Sequence, residues 1–218
     1  MQTWSRREVG YAFGPFGPLL TDLVPGFHCK RVLDLGCGDG SNTTFLCGAA
    51  EEVWGVDKDP AAIARAMGDY PRVNFVIAQA EEFLEATPLV FDAVVCSRLL
   101  GFVPDLYALL SPLKKRLHGH LLISDWHPMA CWVTPDGSFG MDYSATGCFA
   151  PGQYHHTISD VTNALIDCGF QIAKVVEGPA RRHDTFYREA PPVVQGLPLT
   201  MTWICKTPAG ADEGRNAR

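Results

Sequence analysis

Arg31-Val32-Leu33-Asp34-Leu35-Gly36-Cys37-Gly38-Asp39-Gly40 is the stretch whose reading decides the fold. An apolar run of strand length carries an acid, Asp34, near its end. Gly36, Gly38 and Gly40 then follow at alternate positions. Glycines allow a sharp turn and a close approach of backbone to a ligand. Residues 41–49 read as a helix with Ser41 or Asn42 as its N-cap. Such a helix start turns unsatisfied N–H groups toward whatever binds in the turn. A dinucleotide site would be spaced G-x-G-x-x-G. That spacing needs glycine at position 41, where Ser41 stands. An acid at the strand end would also repel a pyrophosphate, whereas it suits a ligand bearing an ammonium group.

Outward from this turn, apolar runs alternate with helical stretches. Residues 52–57 form a second strand ending in Asp57, the place where an acid accepts hydrogen bonds from ribose hydroxyls. Residues 60–67 are Ala-rich, with Asp59 as N-cap and Pro60 at the first helical position. Strands follow at 73–78, 91–96 and 120–125, with a helix at 104–117. A helix at 158–168 ends on Gly169, the usual C′ residue. Two late strands lie at 170–177 and 199–206. Strands alternating with helices predict a parallel sheet covered on both faces.

The composition agrees. The chain has 218 residues, 47% of them hydrophobic and 19% charged, a globular balance with one core domain's length. Its formal charge is −6, which disfavours nucleic acid or an anionic membrane as partner. There is no leader-like apolar run at the start and no stretch of membrane-spanning length, so a cytoplasmic location is expected. The eight cysteines include no C-x-x-C pair. Most of them read as reduced, small core residues.

The glycine turn with Asp34 and Asp57, the segment 74–81, the segment 91–105 and the late strand pair together resemble the class I S-adenosylmethionine-dependent methyltransferases. The resemblance covers residues 30–206 and leans toward the type 11/12-like, small-molecule enzymes of secondary metabolism. It implies a three-layer αβα, Rossmann-like sandwich, whose seven-stranded sheet is mostly parallel with an antiparallel last strand. It also implies one methyltransferase domain over residues 1–206, followed by a tail at 207–218. Residues 1–29 would form a lid, and residues 126–157 and 178–198 would be acceptor-site insertions.

The implied cofactor is S-adenosylmethionine, leaving as S-adenosylhomocysteine. Asp34, Gly36, Cys37 and Gly38 match the positions that hold its methionine part. Asp57 matches the ribose-binding acid, with Lys58 beside the adenine. Gln79, Ala80 and Glu81 occupy the loop after the third strand, where relatives read the adenine; many have Asp at the place of Gln79. Ser97 and Leu99 are expected to face the cofactor from the segment after the fourth strand. Tyr11 is the expected carboxylate contact in the lid.

The acceptor site is expected beyond the fifth strand, where S-D-W-H-P places His127, and before the next helix, where Y-H-H-T places His156. Histidine is the natural base at neutral pH, so these two are the candidate catalytic residues. The aromatic insertion between them suits a small acceptor that is aromatic or carboxylate-bearing. Arg181 and Arg182 are a further carboxylate-binding option. Transfer to oxygen or nitrogen is expected without a metal, because the segment Ser97-Arg98 supplies no acid to match Asp125. The competing readings are a non-catalytic S-adenosylmethionine- or S-adenosylhomocysteine-binding regulator, a peptide methyltransferase and a nicotinamide-dependent reductase.

Overall fold

The computed structural model describes residues 29–48, 50–128, 154–179 and 198–208. The expected lid with Tyr11, the core of the first insertion, the Arg181-Arg182 pair and most of the expected tail lie outside these residues.

Seven strands form one sheet: β1 (Cys29–Leu35), β2 (Ala50–Asp57), β3 (Asn74–Ile77), β4 (Phe91–Ser97), β5 (Leu117–Trp126), β6 (Gln171–Pro179) and β7 (Pro198–Lys206). Their order across the sheet is β3-β2-β1-β4-β5-β7-β6. The β1–β2, β1–β4, β2–β3 and β4–β5 pairs are parallel. β7 runs antiparallel to both of its neighbours, β5 and β6. The expected mostly parallel sheet with an antiparallel last strand is thus the observed one.

Both faces of the central strands are apolar, as a parallel sheet between helices requires. Along β4, Val94 and Cys96 enter one cluster while Ala93 and Val95 enter the other. The first cluster is covered by α3 (Ala80–Ala86), α4 (Leu106–Arg116) and α5 (Ile158–Asp167). α4 alone buries Leu106, Leu109, Leu110 and Leu113. Each contributes about 1.5–3 kcal/mol of apolar burial. The opposite cluster receives Leu46 of α1 (Thr43–Leu46) and Tyr70, which caps α2 (Pro60–Asp69).

The helix starts carry their signals. Asp59 accepts from the Ala61 N–H, and Asp105 from the N–H groups of Tyr107 and Ala108. Thr157 and Asp160 make a reciprocal capping box at α5.

Three local expectations change. The helix expected over 41–49 is shorter, Thr43–Leu46, with Cys47 as its C-cap and no side-chain cap hydrogen bond from Asn42. The residues Ala80 and Glu81 are not loop but the first turn of α3, entered from an extended Gln79. β5 is longer than expected at both ends, taking Leu117 from the helix and Trp126 from the insertion. Of the cysteines, Cys37, Cys96 and Cys205 are buried as free thiols. Burial pushes each of them up from the ordinary thiol value, as inert core cysteines should be.

Candidate functional site

The strand order reverses between β1 and β4, and ligands of open α/β sheets bind at the carboxyl ends flanking such a switch. The glycine turn leaves β1 at that point. Its first two N–H groups, of Gly36 and Cys37, donate to the Val56 carbonyl of β2. Gly36 has φ +79°, a left-handed conformation that favours glycine. A Cβ there would stand 2.9 Å from Leu99 Cδ1. The turn after β1 and the segment after β4 are therefore in direct contact, with no room for a side chain between them.

Gly38, at φ +55°, is different: among the described residues, a Cβ there would meet nothing within 4 Å. Its N–H donates to Asp57 Oδ2 at 2.8 Å, and Asp57 Oδ1 accepts the Asp59 N–H at 2.9 Å. One backbone bond to each oxygen fixes the carboxylate at the end of β2 and leaves each a further lone pair for a ligand hydroxyl.

Asp34 lies beneath the turn and is 1% exposed. Thr43, at the start of α1, donates its hydroxyl to Asp34 Oδ2 at 2.7 Å. Oδ1 is buried without a hydrogen-bond partner among the described residues. Burial pushes the Asp34 carboxyl up to about 7, with Asp57 adding to the rise and Thr43 opposing it. An orphaned, desolvated carboxylate beside an open glycine cradle fits a ligand that brings a positive charge.

The other expected cofactor residues surround this cradle in part. Lys58 follows Asp57, with its Nζ 5.6 Å from the centroid of the Phe102 ring. Gln79 is exposed and Ala80 is buried, just beyond the Ala78 N–H that donates to the Asp57 carbonyl. Glu81 is partly buried in the first turn of α3. Ser97 ends β4 opposite Ser124, whose hydroxyl accepts from Thr202.

A clamp that the sequence did not reveal holds the segment after β4. Asp125, near the end of β5, accepts the Leu100 N–H at 2.9 Å and the Trp126 N–H at 2.7 Å. Burial pushes its carboxyl up from the ordinary value, while these two N–H groups, Arg98 and His156 pull it back. From the other side, the Tyr154 N–H donates to the Gly101 carbonyl at 2.8 Å. His156 Nε2 lies 2.8 Å from the Val103 carbonyl. A carbonyl only accepts, so Nε2 carries the proton and Nδ1 holds the lone pair of the neutral ring.

The two candidate histidines are thus anchored on different elements. His156 is fixed on the segment after β4. His127 is buried past the end of β5, with Nε2 3.2 Å from Glu177 Oε1 on β6. Among the described residues, no group of three or more His, Cys, Asp or Glu is placed to hold a metal ion, and no helix is long and apolar enough to cross a membrane.

Residues 32–119 match the family model described as a methyltransferase domain. Among curated proteins, the chain is 31% identical over 111 residues to a ubiquinone biosynthesis O-methyltransferase of Photobacterium profundum, covering 48% of this chain and 47% of that one. Its counterpart in Aeromonas salmonicida is 34% identical over 90 residues, 39% of this chain and 38% of that one. The chain thus spans about half, or less, of the length of the curated relatives it matches. In structure it is similar to an S-adenosylmethionine-dependent methyltransferase of Mesorhizobium loti. The TM-score is 0.67 at 24% identity, over 91% of this chain and 99% of that one. It is also similar to the magnesium protoporphyrin IX methyltransferase of Synechocystis PCC 6803 with bound S-adenosylhomocysteine. There the TM-score is 0.60 at 20% identity, over 84% and 76%. The fold of the described residues is thus the one seen in these solved S-adenosylmethionine-dependent methyltransferases, and the methyltransferase-domain match lies over residues 32–119 of it.

Proposed function

We propose that this chain is an S-adenosylmethionine-dependent methyltransferase that moves a methyl group to an oxygen or nitrogen of a small molecule. The observation that carries the reading is the cradle itself: Gly38 N–H held on Asp57, no described atom within 4 Å of a Cβ at Gly38, and an Asp34 oxygen without a partner among the described residues. When bound, S-adenosylmethionine supplies an electrophilic methyl on a sulfonium and a neutral thioether leaving group. Asp34 and the backbone of Gly36, Cys37 and Gly38 would hold its methionine part, and Asp57 the ribose hydroxyls. Lys58, Gln79, Ala80 and Glu81 would border the adenine, with Ser97 and Leu99 lining the opposite wall.

The chain's own work is then alignment and proton removal. Holding two reactants in line supplies much of the rate in such a displacement. A hydroxyl acceptor also needs a base, and His156 offers Nδ1 with its tautomer fixed by the Val103 carbonyl. His127, paired with Glu177, is the second candidate base and links the ends of β5 and β6. The relatives named for O-methylation favour oxygen as the acceptor atom.

Calorimetry with S-adenosylhomocysteine tests the reading. Binding is expected, and Asp57→Ala should weaken it by roughly 10–100-fold, the worth of lost charge-assisted hydrogen bonds. No binding to the unaltered chain, or an unchanged affinity in the variant, defeats the proposal.

A further inference from the structure

The turn after β4 is tied down from several elements. It begins at Arg98, whose φ of +53° redirects the chain out of the strand and whose N–H is held on the Ser124 carbonyl at 2.8 Å. A 3-10 turn, Leu100–Phe102, follows. Its Leu100 N–H is held by Asp125, its Gly101 carbonyl accepts from Tyr154, and the Phe102 N–H donates to the Leu99 carbonyl at 2.9 Å. Leu99 in turn lies against Gly36. The backbone under Phe102 is therefore fixed, while its side chain is 50% exposed. The turn sets the place of this ring without burying it.

Lys58 Nζ stands over the Phe102 ring, 5.6 Å from its centroid. The two residues belong to opposite walls. Lys58 is the first residue after β2, Phe102 follows β4, and β1 lies between those strands. The ammonium-to-ring contact thus spans the carboxyl end of β1, where the glycine turn leaves the sheet. An exposed contact of this kind is weak, so a second cation can compete for the ring face.

The cofactor of the proposed function is such a cation. In S-adenosylmethionine the sulfonium joins the methionine part to the ribose. The methionine part belongs to Asp34 and the glycine backbone, and the ribose to Asp57. The sulfur then belongs between them, within the interval that the Lys58–Phe102 contact spans. An aromatic face attracts a positive charge through its quadrupole. Unlike a carboxylate, it offers the reactive methyl no nucleophilic lone pair.

We propose that Phe102 is the residue that reads the cofactor's charge. Its ring face takes the sulfonium in preference to the neutral thioether of the product, and Lys58 competes for that face. The inference rests on the methyltransferase reading and adds to it a means of telling cofactor from spent product.

The test is calorimetric binding of S-adenosylmethionine and of S-adenosylhomocysteine to the full chain without acceptor, and the readout is the ratio of the two affinities. Phe102→Leu should lower the affinity for S-adenosylmethionine about fivefold relative to that for S-adenosylhomocysteine, the scale of one cation–π contact. Phe102→Tyr should keep the ratio. Lys58→Met should raise it in the parent chain and leave it unmoved in the Phe102→Leu background, because the competition is for the ring. A ratio that Phe102→Leu leaves unchanged overturns the inference, since a merely structural side chain would weaken both ligands alike. A Lys58→Met ratio that does not rise, or that rises equally in both backgrounds as plain charge repulsion would make it, overturns it too. Phe102 is half exposed, so its replacement spares the core, and S-adenosylhomocysteine binding by each variant reports on the fold. Failure of the unaltered chain to bind either ligand counts against the methyltransferase reading itself, whereas binding of both with an unmoved ratio counts against Phe102 alone.

Discussion

Thr43 satisfies one oxygen of Asp34 from nine residues away, at 2.7 Å, and the other oxygen is buried with no partner among the described residues. Half of this carboxylate is tied into the fold and half is not.

The first prediction concerns protons. Asp34 titrates near 7 in the folded chain against 3.8 ordinarily. Between those values the folded chain keeps a proton that the unfolded chain has lost, so folding stability falls as pH rises through this window. A ligand ammonium favours the ionised form and drives that proton off. S-adenosylhomocysteine binding at pH 6 should therefore release close to one proton, and almost none at pH 8.5. Calorimetry in two buffers of different ionisation enthalpy measures this, and a buffer-independent heat at pH 6 would refute it. Asp34→Asn should lose the binding yet be more stable than the parent at pH 8, by a margin on the order of a few kcal/mol in urea denaturation.

Gly36 gives a steric prediction. Alanine there meets both a positive φ and Leu99 Cδ1 at 2.9 Å. Gly36→Ala should cost about 1–3 kcal/mol of stability by urea denaturation. Gly38→Ala shares the strain but meets no described atom within 4 Å, so its stability cost should be smaller while its loss of cofactor affinity is larger. The reverse ranking would show that the cradle is not where the ligand backbone lies.

A third prediction separates the histidines. His156→Gln should lower kcat by about 100-fold or more, the scale of general-base catalysis. His127→Gln, on the Glu177 side, should act mainly through the β5–β6 ends and lower Tm. A pH–rate profile unaltered by His156→Gln would remove that residue from proton transfer.

The Asp125 clamp supplies a fourth. Asp125→Ala leaves the Leu100 N–H without its acceptor at 2.9 Å. The expected cost is about 1–3 kcal/mol of stability. Because Leu99 packs against Gly36, a loss of S-adenosylhomocysteine affinity should accompany it. Thermal melts with and without that ligand distinguish the two effects, and an unchanged ligand-induced shift would limit Asp125 to a structural part.

Much of this molecule is legible in the sequence. The glycine spacing and the two acids at strand ends are local signals, and they placed β1, β2 and the cradle between them. Elements without a local signal were misread. α3 begins with no side-chain cap at Gln79, so nothing in the sequence marks its start. Leu117 continues the pattern of α4 but pairs with Phe91 in the sheet, a choice made by tertiary contact. The contacts around the acceptor side are all long-range: Asp125 with Leu100, His156 with Val103, His127 with Glu177. They depend on which strands become neighbours, and β7 inserting between β5 and β6 is not written in any short stretch. The positive φ of Arg98 is equally silent, because arginine is not a residue that announces one.

That inserted strand also governs the order of assembly. β6 pairs with β7 and not with β5, so it has no seat in the sheet until the later strand is made. β7 brings Met201, Trp203 and Cys205 into the main core as it enters. A chain emerging from its N-terminal side can form the β1–β5 half, cradle included, ahead of this closure. During that interval the edge of β5 is an open template for another strand. The cofactor half and the half carrying Glu177 are thus joined last, and a lesion in β7 should be felt as misassembly of nascent chains before it is felt as lost chemistry.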